Sequence, residues 1–385
     1  MLLSVSYLSL IFNKHSLFNL IILDSMGIYG SRERRNFVFV KKQGCSMKYA
    51  SLYRIFILIF PLSKSKCNNV LAFTSVQNHG SMHRRQRDQL FMNSPDKEPS
   101  IPQEIENLMS KHDPILLYAS RLLPSQTASD ASALYAWCRR LDEITDDSEA
   151  DIFTKQQQLM DWEDRFYKLY NGKPLDEMDQ ALYQCIQRNS GSLTKEPFLD
   201  MIAGMKSDAV PNRRIKDMAE LEEYAYQVAG TVGVMLLPLL IADVQISCPP
   251  AIAMGKSIQL INILRDASSD AALGRIYLPQ DMLRIEGVSG DDILMLKSSD
   301  GYCKVVREVA TRAQELLLEA ERGKSTLPGI GPLFVQIIVE LYRVYLVRLE
   351  ELGYDNLNVQ GERVKISTMQ KLSATVRALM KTIGQ

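Results

Sequence analysis

Two acidic segments carry residues whose types and spacing indicate chemistry. The first segment, residues 135–147, contains Asp142 and Asp146, with Arg139 three residues before the first of these acids. A spacing of four places two side chains on one face of a helix, one turn apart. Like charges at that spacing destabilise a helix by about 0.2–0.5 kcal/mol, a penalty that a bound cation would remove.

The second segment is a polar stripe on an otherwise apolar helix. Its members step along the chain by three, four and four residues, and they are Gln259, Asn262, Asp266 and Asp270. Arg265 lies inside the stripe, and apolar residues such as Ile263 and Leu264 fill the intervening positions. Amides and acids are costly to bury without partners, so the stripe is predicted to face something other than the apolar core. One acidic pair alone is usually a solvated helix face, but two such segments, each beside an arginine, favour a paired site.

The chemistry that suits two facing acidic helices is the ionisation of a diphosphate assisted by divalent cations. Mg²⁺ prefers octahedral oxygen ligands and typically binds one or two carboxylates together with substrate phosphate. Cations and arginines would stabilise the negative charge that builds up as diphosphate leaves. The carbocation left behind needs a dry, apolar and partly aromatic cavity.

Composition disfavours several other classes of protein. The 45 Lys and Arg residues balance 45 Asp and Glu residues, which gives no reason to expect a nucleic-acid partner. Three of the four histidines lie in the first hundred residues, and only His112 follows them. The six cysteines form no CxxC pair. Zinc sites, histidine-based nucleophilic catalysis and a disulfide framework are therefore disfavoured, and the thiols are expected to be reduced and mostly buried.

The elements that must position these residues are helices. From Ile101 onward apolar residues recur at three- and four-residue spacing without long β-type alternation. Tyr135 and Trp137 flank the first acidic segment and are predicted to pack in the core. Breakers are predicted between helices at residues 171–174, 248–250, 287–290 and 327–332. Residues 99–385 are therefore expected to form a single all-α domain.

The first 98 residues have the character of a targeting leader followed by a disordered linker. After Met47 come basic residues, an apolar run at residues 55–62 and an Ala72-Phe73 junction, and then a stretch rich in Ser and Arg. A signal followed by a transit-like segment is typical of the bipartite leader of algae with complex plastids. The alternative is a mis-assigned 5′ extension with Met47 as the true start. No apolar run here approaches the ~18 residues of a membrane span.

Both acidic segments resemble motifs of the squalene/phytoene synthase family. YAWCRRLDEITDD at residues 135–147 resembles its first aspartate-rich motif, and INILRDASSDAALGRIYLPQD at residues 261–281 resembles the second. Between them, YAYQVAGTVG at residues 224–233 is similar to another family segment, and the pattern around Leu341-Tyr342-Arg343 and residues 354–371 also matches. The resemblance covers roughly residues 115–380 and implies the all-α isoprenoid synthase bundle with a central cavity.

The same resemblance implies a role for each matching residue. Four aspartates would bind Mg²⁺ or Mn²⁺, namely Asp142, Asp146, Asp266 and Asp270. Polar side chains expected to contact the diphosphates are Arg139, Gln259, Asn262 and Arg265. Residues expected near the reacting carbons or phosphates are Tyr224, Tyr342 and Arg363, with Tyr224 among the catalytic residues. Gly233 is expected to line the cavity, and Arg275 and Tyr277 to close the site.

Two departures from the family pattern stand out. Residues 114–117 occupy the place of a Ser-Phe pair, and residues 329–332 lie where the family tends to carry an arginine. These differences bear on substrate affinity and rate rather than on the fold.

The family implies head-to-head condensation of two prenyl diphosphates. The leader and the absence of an apolar C-terminal span favour two geranylgeranyl diphosphates, a phytoene product, a plastid location and no use of NADPH. Alternatives are a C30 squalene- or dehydrosqualene-type product, and a non-catalytic relative that acts as an assembly factor. Because the product is very apolar, peripheral contact with plastid membranes is expected, and other carotenoid or prenyl-diphosphate enzymes are candidate partners.

Overall fold

A computed structural model describes residues 28–33, 36–41, 100–112, 117, 120, 123–147, 149–241, 244–359 and 363–383. The side chains of residues 28–33, 36–41, 244–246 and 383 are outside that description. The chain divides into two units, and the helical unit comprises residues 99–113 and 120–385.

The other unit contains two short strands within the range assigned to the leader. Strand β1, Ile28–Glu33, pairs with strand β2, Asn36–Lys41, in an antiparallel register in which Ile28 faces Lys41 and Glu33 faces Asn36. The sequence patterns did not predict this strand pair. The rest of the leader, including the junction at residues 72–73, lies outside the described residues.

The helical unit is built from α-helices joined by short loops. In chain order the helices are α1 Gln103–His112, α2 Ser125–Asp146, α3 Ile152–Tyr170, α4 Glu177–Arg188, α5 Glu196–Asp208, α6 Met218–Ala225, α7 Thr231–Leu240, α8 Val244–Ala272, α9 Gln280–Ile285, α10 Gly290–Leu294, α11 Asp300–Gly323, α12 Gly331–Glu351 and α13 Thr368–Ile383. A π-helical segment, Tyr226–Gly230, joins α6 to α7, and a 3₁₀ turn, Lys324–Thr326, follows α11. The prediction of an all-α body is confirmed.

Helix α8 runs through the middle of the core and packs along α11. Leu260, Ile261 and Leu264 of α8 are fully buried, as are Val306 and Val309 of α11. A helix that is apolar around most of its circumference must be covered on several sides, and α6, α7 and α12 also contact α8. This burial fixes the orientation of the helix that carries the second acidic segment.

Glycines allow the backbone of α8 to approach the π-helical segment and α7. A Cβ placed on Gly255 would lie 2.4 Å from the carbonyl oxygen of Ala229, which is far inside van der Waals contact. A Cβ on Gly233 would lie 2.9 Å from the carbonyl oxygen of Ala251. Close helix packing therefore accounts for Gly233, and its expected role in lining a substrate cavity stays a prediction.

One predicted breaker is wrong. Pro249 and Pro250 lie inside α8 rather than between two helices. A proline inside a helix removes a backbone hydrogen bond, but it is tolerated where packing compensates. Gly323 of α11 packs directly against Pro250, because a Cβ on that glycine would lie 2.2 Å from the Pro250 Cβ. The other three predicted breakers contain the ends of helices or loops, as expected.

Helix α13 is attached to α12 by a network of charged side chains. Glu340 of α12 is 1% exposed and accepts hydrogen bonds from Arg343 at 2.5 Å, Arg377 at 3.0 Å and Lys381 at 2.8 Å. The buried Gln336 belongs to the same network and donates to Glu321 at 2.7 Å. Among the helices in the described part of the chain, none is both long and apolar enough to cross a membrane.

Candidate functional site

The first acidic segment forms the last three turns of α2. Trp137 is buried in an aromatic cluster in which its ring centroid lies 5.0 Å from that of Phe198 and 6.1 Å from that of Trp162. The prediction that Trp137 packs in the core is confirmed. This packing fixes the helix, so that Asp142 is half-buried while Asp146, the last residue of α2, is exposed.

Arg139 takes part in a small polar group between α1 and α2. Its Nε lies 3.5 Å from the Glu143 carboxylate, and His112 Nε2 lies 3.2 Å from the same carboxylate. The Arg139 Nε is buried and makes no hydrogen bond of good geometry. A buried guanidinium donor that is poorly satisfied is costly, which is consistent with a site that is completed by an anion.

In the second acidic segment an arginine folds back onto its neighbouring aspartate. Arg265 Nε donates to Asp266 Oδ1 at 2.9 Å, and its Nη2 donates to Oδ2, which makes the contact bidentate. Arg363 approaches from the segment after α12, with its Nε 3.7 Å from Asp266 Oδ1. That segment is attached to α8 by the Val364 amide, which donates to the Arg265 carbonyl at 2.9 Å. Two arginines from distant parts of the chain thus meet at one aspartate.

Asn262 lies one turn before Asp266 and has a buried amide oxygen without a hydrogen-bond partner. An unsatisfied buried acceptor costs about 1–3 kcal/mol, so such groups in a folded protein call for an explanation such as a ligand. Burial raises the pKa of the nearby Tyr342 hydroxyl, an effect that Arg265 and Asn262 partly oppose. The structure therefore brings Asn262, Arg265 and Tyr342 together on one side of α8. Gln259 lies half-buried one turn earlier.

Asp270 lies at the last turn of α8, where negative charge accumulates. Burial, the neighbouring charge of Asp266 and the charge of Asp208 raise the pKa of Asp270 to about 7, although Arg275 and Arg265 oppose the shift. The chain then turns at Gly274, whose φ of 76° is a left-handed conformation that favours glycine. The turn returns Arg275 toward the helix, and the Arg275 amide donates to the Asp270 carbonyl at 2.8 Å.

The sequence patterns missed Asp208, the last residue of α5. Tyr224 donates its hydroxyl proton to Asp208 Oδ2 at 2.5 Å, and Tyr277 donates to Oδ1 at 3.2 Å. Arg213 forms an ion pair with the same carboxylate at 3.2 Å. Burial raises the pKa of Asp208, and the hydrogen bond from Tyr224 and the charge of Arg213 oppose that shift. No periodic pattern singled out Asp208, because its partners come from three other segments.

The structure brings most, but not all, of the predicted residues together. The structure collects a large group around the end of α8, which consists of Asn262, Arg265, Asp266, Asp270, Arg275, Tyr224, Tyr277, Tyr342 and Arg363. The contacts of Arg139 and Glu143 lead instead to α1. Among the residues that the structure describes, no three His, Cys, Asp or Glu side chains are gathered closely enough to ligate a single ion. The departure at residues 114–117 lies outside the described residues except for Leu117.

The donor chemistry around the end of α8 nevertheless fits divalent cations. The oxygen ligands available are carboxylates and an amide, which suit a hard ion such as Mg²⁺ or Mn²⁺. Burial and then the neighbouring charge of Asp266 raise the pKa of Asp270, and a bound cation would stabilise its charged form. The amide oxygen of Asn262, which is buried without a hydrogen-bond partner, could also bind a cation.

Comparison with known proteins agrees with the helical fold and covers the part of the chain that contains both acidic segments. The model of the squalene/phytoene synthase family matches residues 109–370. The chain is 35% identical over 257 residues to a chloroplastic phytoene synthase of Narcissus pseudonarcissus, which covers 65% of this chain and 59% of that protein. It is 36% identical over 257 residues to the chloroplastic phytoene synthase 1 of Solanum lycopersicum, which covers 65% of this chain and 61% of that protein. The chain therefore spans about three fifths of the length of these relatives.

Solved structures show the same architecture. A crystal structure of a dehydrosqualene synthase in complex with ligand superposes with a TM-score of 0.63 and 26% identity, over 73% of this chain and 96% of that one. A squalene synthase from Alicyclobacillus acidocaldarius superposes with a TM-score of 0.59 and 23% identity, over 65% of this chain and 93% of that one, and shows the fold alone. With the family model covering most of the helical unit, the chain belongs to the squalene/phytoene synthase family.

Proposed function

We propose that this protein condenses two geranylgeranyl diphosphates head-to-head to phytoene in plastids. The observation that carries the proposal is the group at the end of α8, where two half-buried aspartates meet arginines from three segments of the chain. The relatives named above are chloroplastic phytoene synthases, which supports both the substrate and the location.

In this proposal the acidic residues hold the cations and the basic residues hold the diphosphates. The ligands would be Asp142 and Asp146 from α2, and Asp266 and Asp270 from α8. Bound Mg²⁺ or Mn²⁺ would supply positive charge against the departing diphosphate. Arg265, Arg139, Gln259 and the amide of Asn262 would contact diphosphate oxygens, because arginine binds phosphate in a bidentate manner and the amide donates hydrogen bonds.

The remaining residues of the group shape the space around the prenyl chains. Tyr224 and Tyr342 are mostly buried, so their rings exclude water from the reacting carbons. Arg363 and Arg275 bring positive charge to Asp266 and Asp270, where the diphosphates would lie. Tyr277, placed after the turn at Gly274, would cover the end of the site.

The reaction balances without a redox partner. The first diphosphate leaves, its allylic carbon bonds to the double bond of the second molecule, and one proton is lost as a cyclopropyl diphosphate forms. The second diphosphate then leaves, the carbon skeleton rearranges, and a second proton is lost to give phytoene. No hydride is added, so NADPH is not required. The apolar product favours peripheral contact with a plastid membrane and with other carotenoid or prenyl-diphosphate enzymes.

A C30 product is the second candidate. The dehydrosqualene synthase structure shares 26% identity with this chain and superposes over 96% of its own length, so the same fold carries that chemistry in a relative. A non-catalytic assembly factor is a weaker alternative, because both acidic motifs are intact here.

The test supplies the purified chain with geranylgeranyl diphosphate and Mg²⁺ but no NADPH, and analyses the organic extract by chromatography. Farnesyl diphosphate, with and without NADPH, is run in parallel. We expect a C40 product from the parent and none from Asp142→Asn or Asp266→Asn. Asp161→Asn is the matched control, because Asp161 is exposed on α3. A C30 product alone supports the second candidate, and no product from any substrate supports the assembly factor.

A further inference from the structure

Asp208 is a buried carboxylate that connects four parts of the site. Its side chain is 14% exposed and receives the hydroxyl protons of Tyr224 from α6 and Tyr277 from the segment after α8. Arg213, from the loop after α5, pairs with the same carboxylate and also lies over the Tyr224 ring, 4.5 Å from its centroid. No role was assigned to this residue from the sequence patterns.

The position of Asp208 is unfavourable for stability by itself. It is the final residue of α5, where the negative end of the helix dipole repels a carboxylate. Burial adds a second cost, because a carboxylate loses its hydration there. An amide at the same position would avoid both costs, so the carboxylate is best explained by what its charge and two acceptor oxygens do for its partners.

The partners of Asp208 are arranged as a unit. The rings of Tyr224 and Tyr277 are stacked, with centroids 5.5 Å apart and planes inclined by 15°. Arg214 completes the contact between the two loops, because it forms a backbone bridge with Ile276 and its Nη1 donates to the Gly274 carbonyl at 3.2 Å. Asp208 therefore fixes the loop after α5 and the segment after α8 relative to each other.

This unit lies against the end of the second acidic segment. Tyr277 lines one small cavity together with Asp270 and Arg275. Each tyrosine hydroxyl has a single proton, and Asp208 accepts both. Neither hydroxyl is then free to donate to a diphosphate, so the two tyrosines contribute fixed ring positions rather than phosphate contacts.

We propose that Asp208 is a positioning residue of the condensation site, acting through Tyr224 and Tyr277, whose rings it holds stacked beside Asp270 and Arg275. This inference rests on the proposed function and deepens it. Asp208 touches neither substrate nor cation in this scheme. Its loss should lower the turnover number more than it changes the Michaelis constant, because misplacement of positioned groups mainly affects the transition state.

The test uses the full chain and the Asp208→Asn variant, which keeps the size of the side chain. We expect kcat to fall roughly 10- to 100-fold and KM to change by less than about threefold. The matched control is Asp200→Asn, because Asp200 lies on the same helix and accepts a hydrogen bond from the Tyr226 hydroxyl at 3.0 Å. Control activity should stay within about twofold of the parent.

Double variants distinguish positioning from a merely structural role. If Asp208 acts through the tyrosines, adding Tyr224→Phe or Tyr277→Phe to Asp208→Asn costs little more than the larger single effect. The proposal would be overturned if the decreases in kcat of the single variants multiplied in the double variant. An unchanged kcat in Asp208→Asn would overturn it as well. Thermal unfolding confirms that each variant is folded. If Asp208→Asn does not fold, Tyr277→Phe alone must lower kcat about tenfold, and a normal kcat overturns the proposal.

A second measurement separates this proposal from the proposed function. Fluorotyrosine is incorporated, and the ¹⁹F resonances of Tyr224 and Tyr277 are assigned with the phenylalanine variants. Both resonances should move in Asp208→Asn and stay in place in Asp200→Asn. Unmoved resonances refute the positioning role whether or not the parent turns over. The resonances could also move in Asp208→Asn while the parent shows no activity on any prenyl diphosphate. That result supports the positioning role of Asp208 and refutes the condensation.

Discussion

The Asn356→Ala variant should separate the stability of the helical unit from its chemistry. Asn356 is fully buried after α12, where its Nδ2 donates to the Leu264 carbonyl at 2.7 Å. Its Oδ1 accepts a hydrogen bond from the Tyr302 hydroxyl, also at 2.7 Å, and Tyr302 is fully buried as well. Asn356 thus connects α11 and α8 to the segment that carries Arg363.

The expected loss of stability can be worked out from these two bonds. Truncation leaves the Tyr302 hydroxyl buried without an acceptor, which costs about 1–3 kcal/mol. The Leu264 carbonyl belongs to a helix, so loss of its hydrogen bond from Asn356 contributes only about 0.5–1.5 kcal/mol. The sum is about 1.5–4.5 kcal/mol, a large part of the roughly 5–15 kcal/mol that stabilises a typical domain. Tyr302→Phe should cost about 1–3 kcal/mol, because it leaves the buried Asn356 Oδ1 without a donor.

Urea unfolding followed by circular dichroism measures this loss as a lower midpoint with an unchanged slope. Asn358→Ala is the matched control, because Asn358 is exposed and its side chain bonds to the nearby Asp355 at 2.8 Å. The control should change stability by less than about 0.5 kcal/mol. If Asn356→Ala unfolds at the same urea concentration as the control, the reasoning about buried polar groups at this position is refuted.

Three further predictions concern the core and the charged network. Glu340→Gln should cost about 2–3 kcal/mol at neutral pH, whereas Glu351→Gln, at an exposed ion pair on the same helix, should cost less than about 0.5 kcal/mol. Burial raises the pKa of Glu340, but hydrogen bonds from Lys381 and Arg377 outweigh burial, so the pKa lies below the usual 4.5. The stability that Glu340 contributes is therefore present above pH 4.5 and is lost as the pH falls below that value. Thermal midpoints of parent and variant should therefore converge in acid. Gly255→Ala should lower the urea midpoint strongly, because its Cβ would overlap backbone, while Gly191→Ala meets no atom within 4 Å and should not. Cys185, buried and with its pKa raised to about 12, should react with iodoacetamide only after unfolding.

The helical class and the second acidic segment were predictable from local pattern. Polar residues at three- and four-residue steps in apolar sequence specify one face of one helix, and α8 presents Asn262, Asp266 and Asp270 in that way. The prediction of a break at Pro249 and Pro250 was wrong because it used only the local sequence. The close packing of Pro250 against Gly323 involves another helix, which the local sequence does not show. Tertiary packing decided that case.

The rest of the site depends on contacts between distant segments. Asp208 has no periodic partner, and its meaning arises only when α5, α6 and the turn after α8 converge. Glu340 was equally hidden, because an acid on a helix usually faces water, whereas here cations from α13 cover it. Sequence periodicity shows which face of a helix is apolar, but it does not show which distant cation will neutralise a buried acid.

The groups at the end of α8 are arranged at the expense of stability. Asn262 has an orphaned oxygen, Asp270 has a raised pKa beside a second acid, and Asp208 opposes a helix dipole. A sequence selected for stability alone would replace each of them with an apolar or neutral residue. Tyr224, Tyr277 and Arg213 offset the cost at Asp208. The costs at Asn262 and Asp270 are not fully offset within the chain, so the compensating interactions there are best sought in a ligand that carries both cations and phosphate.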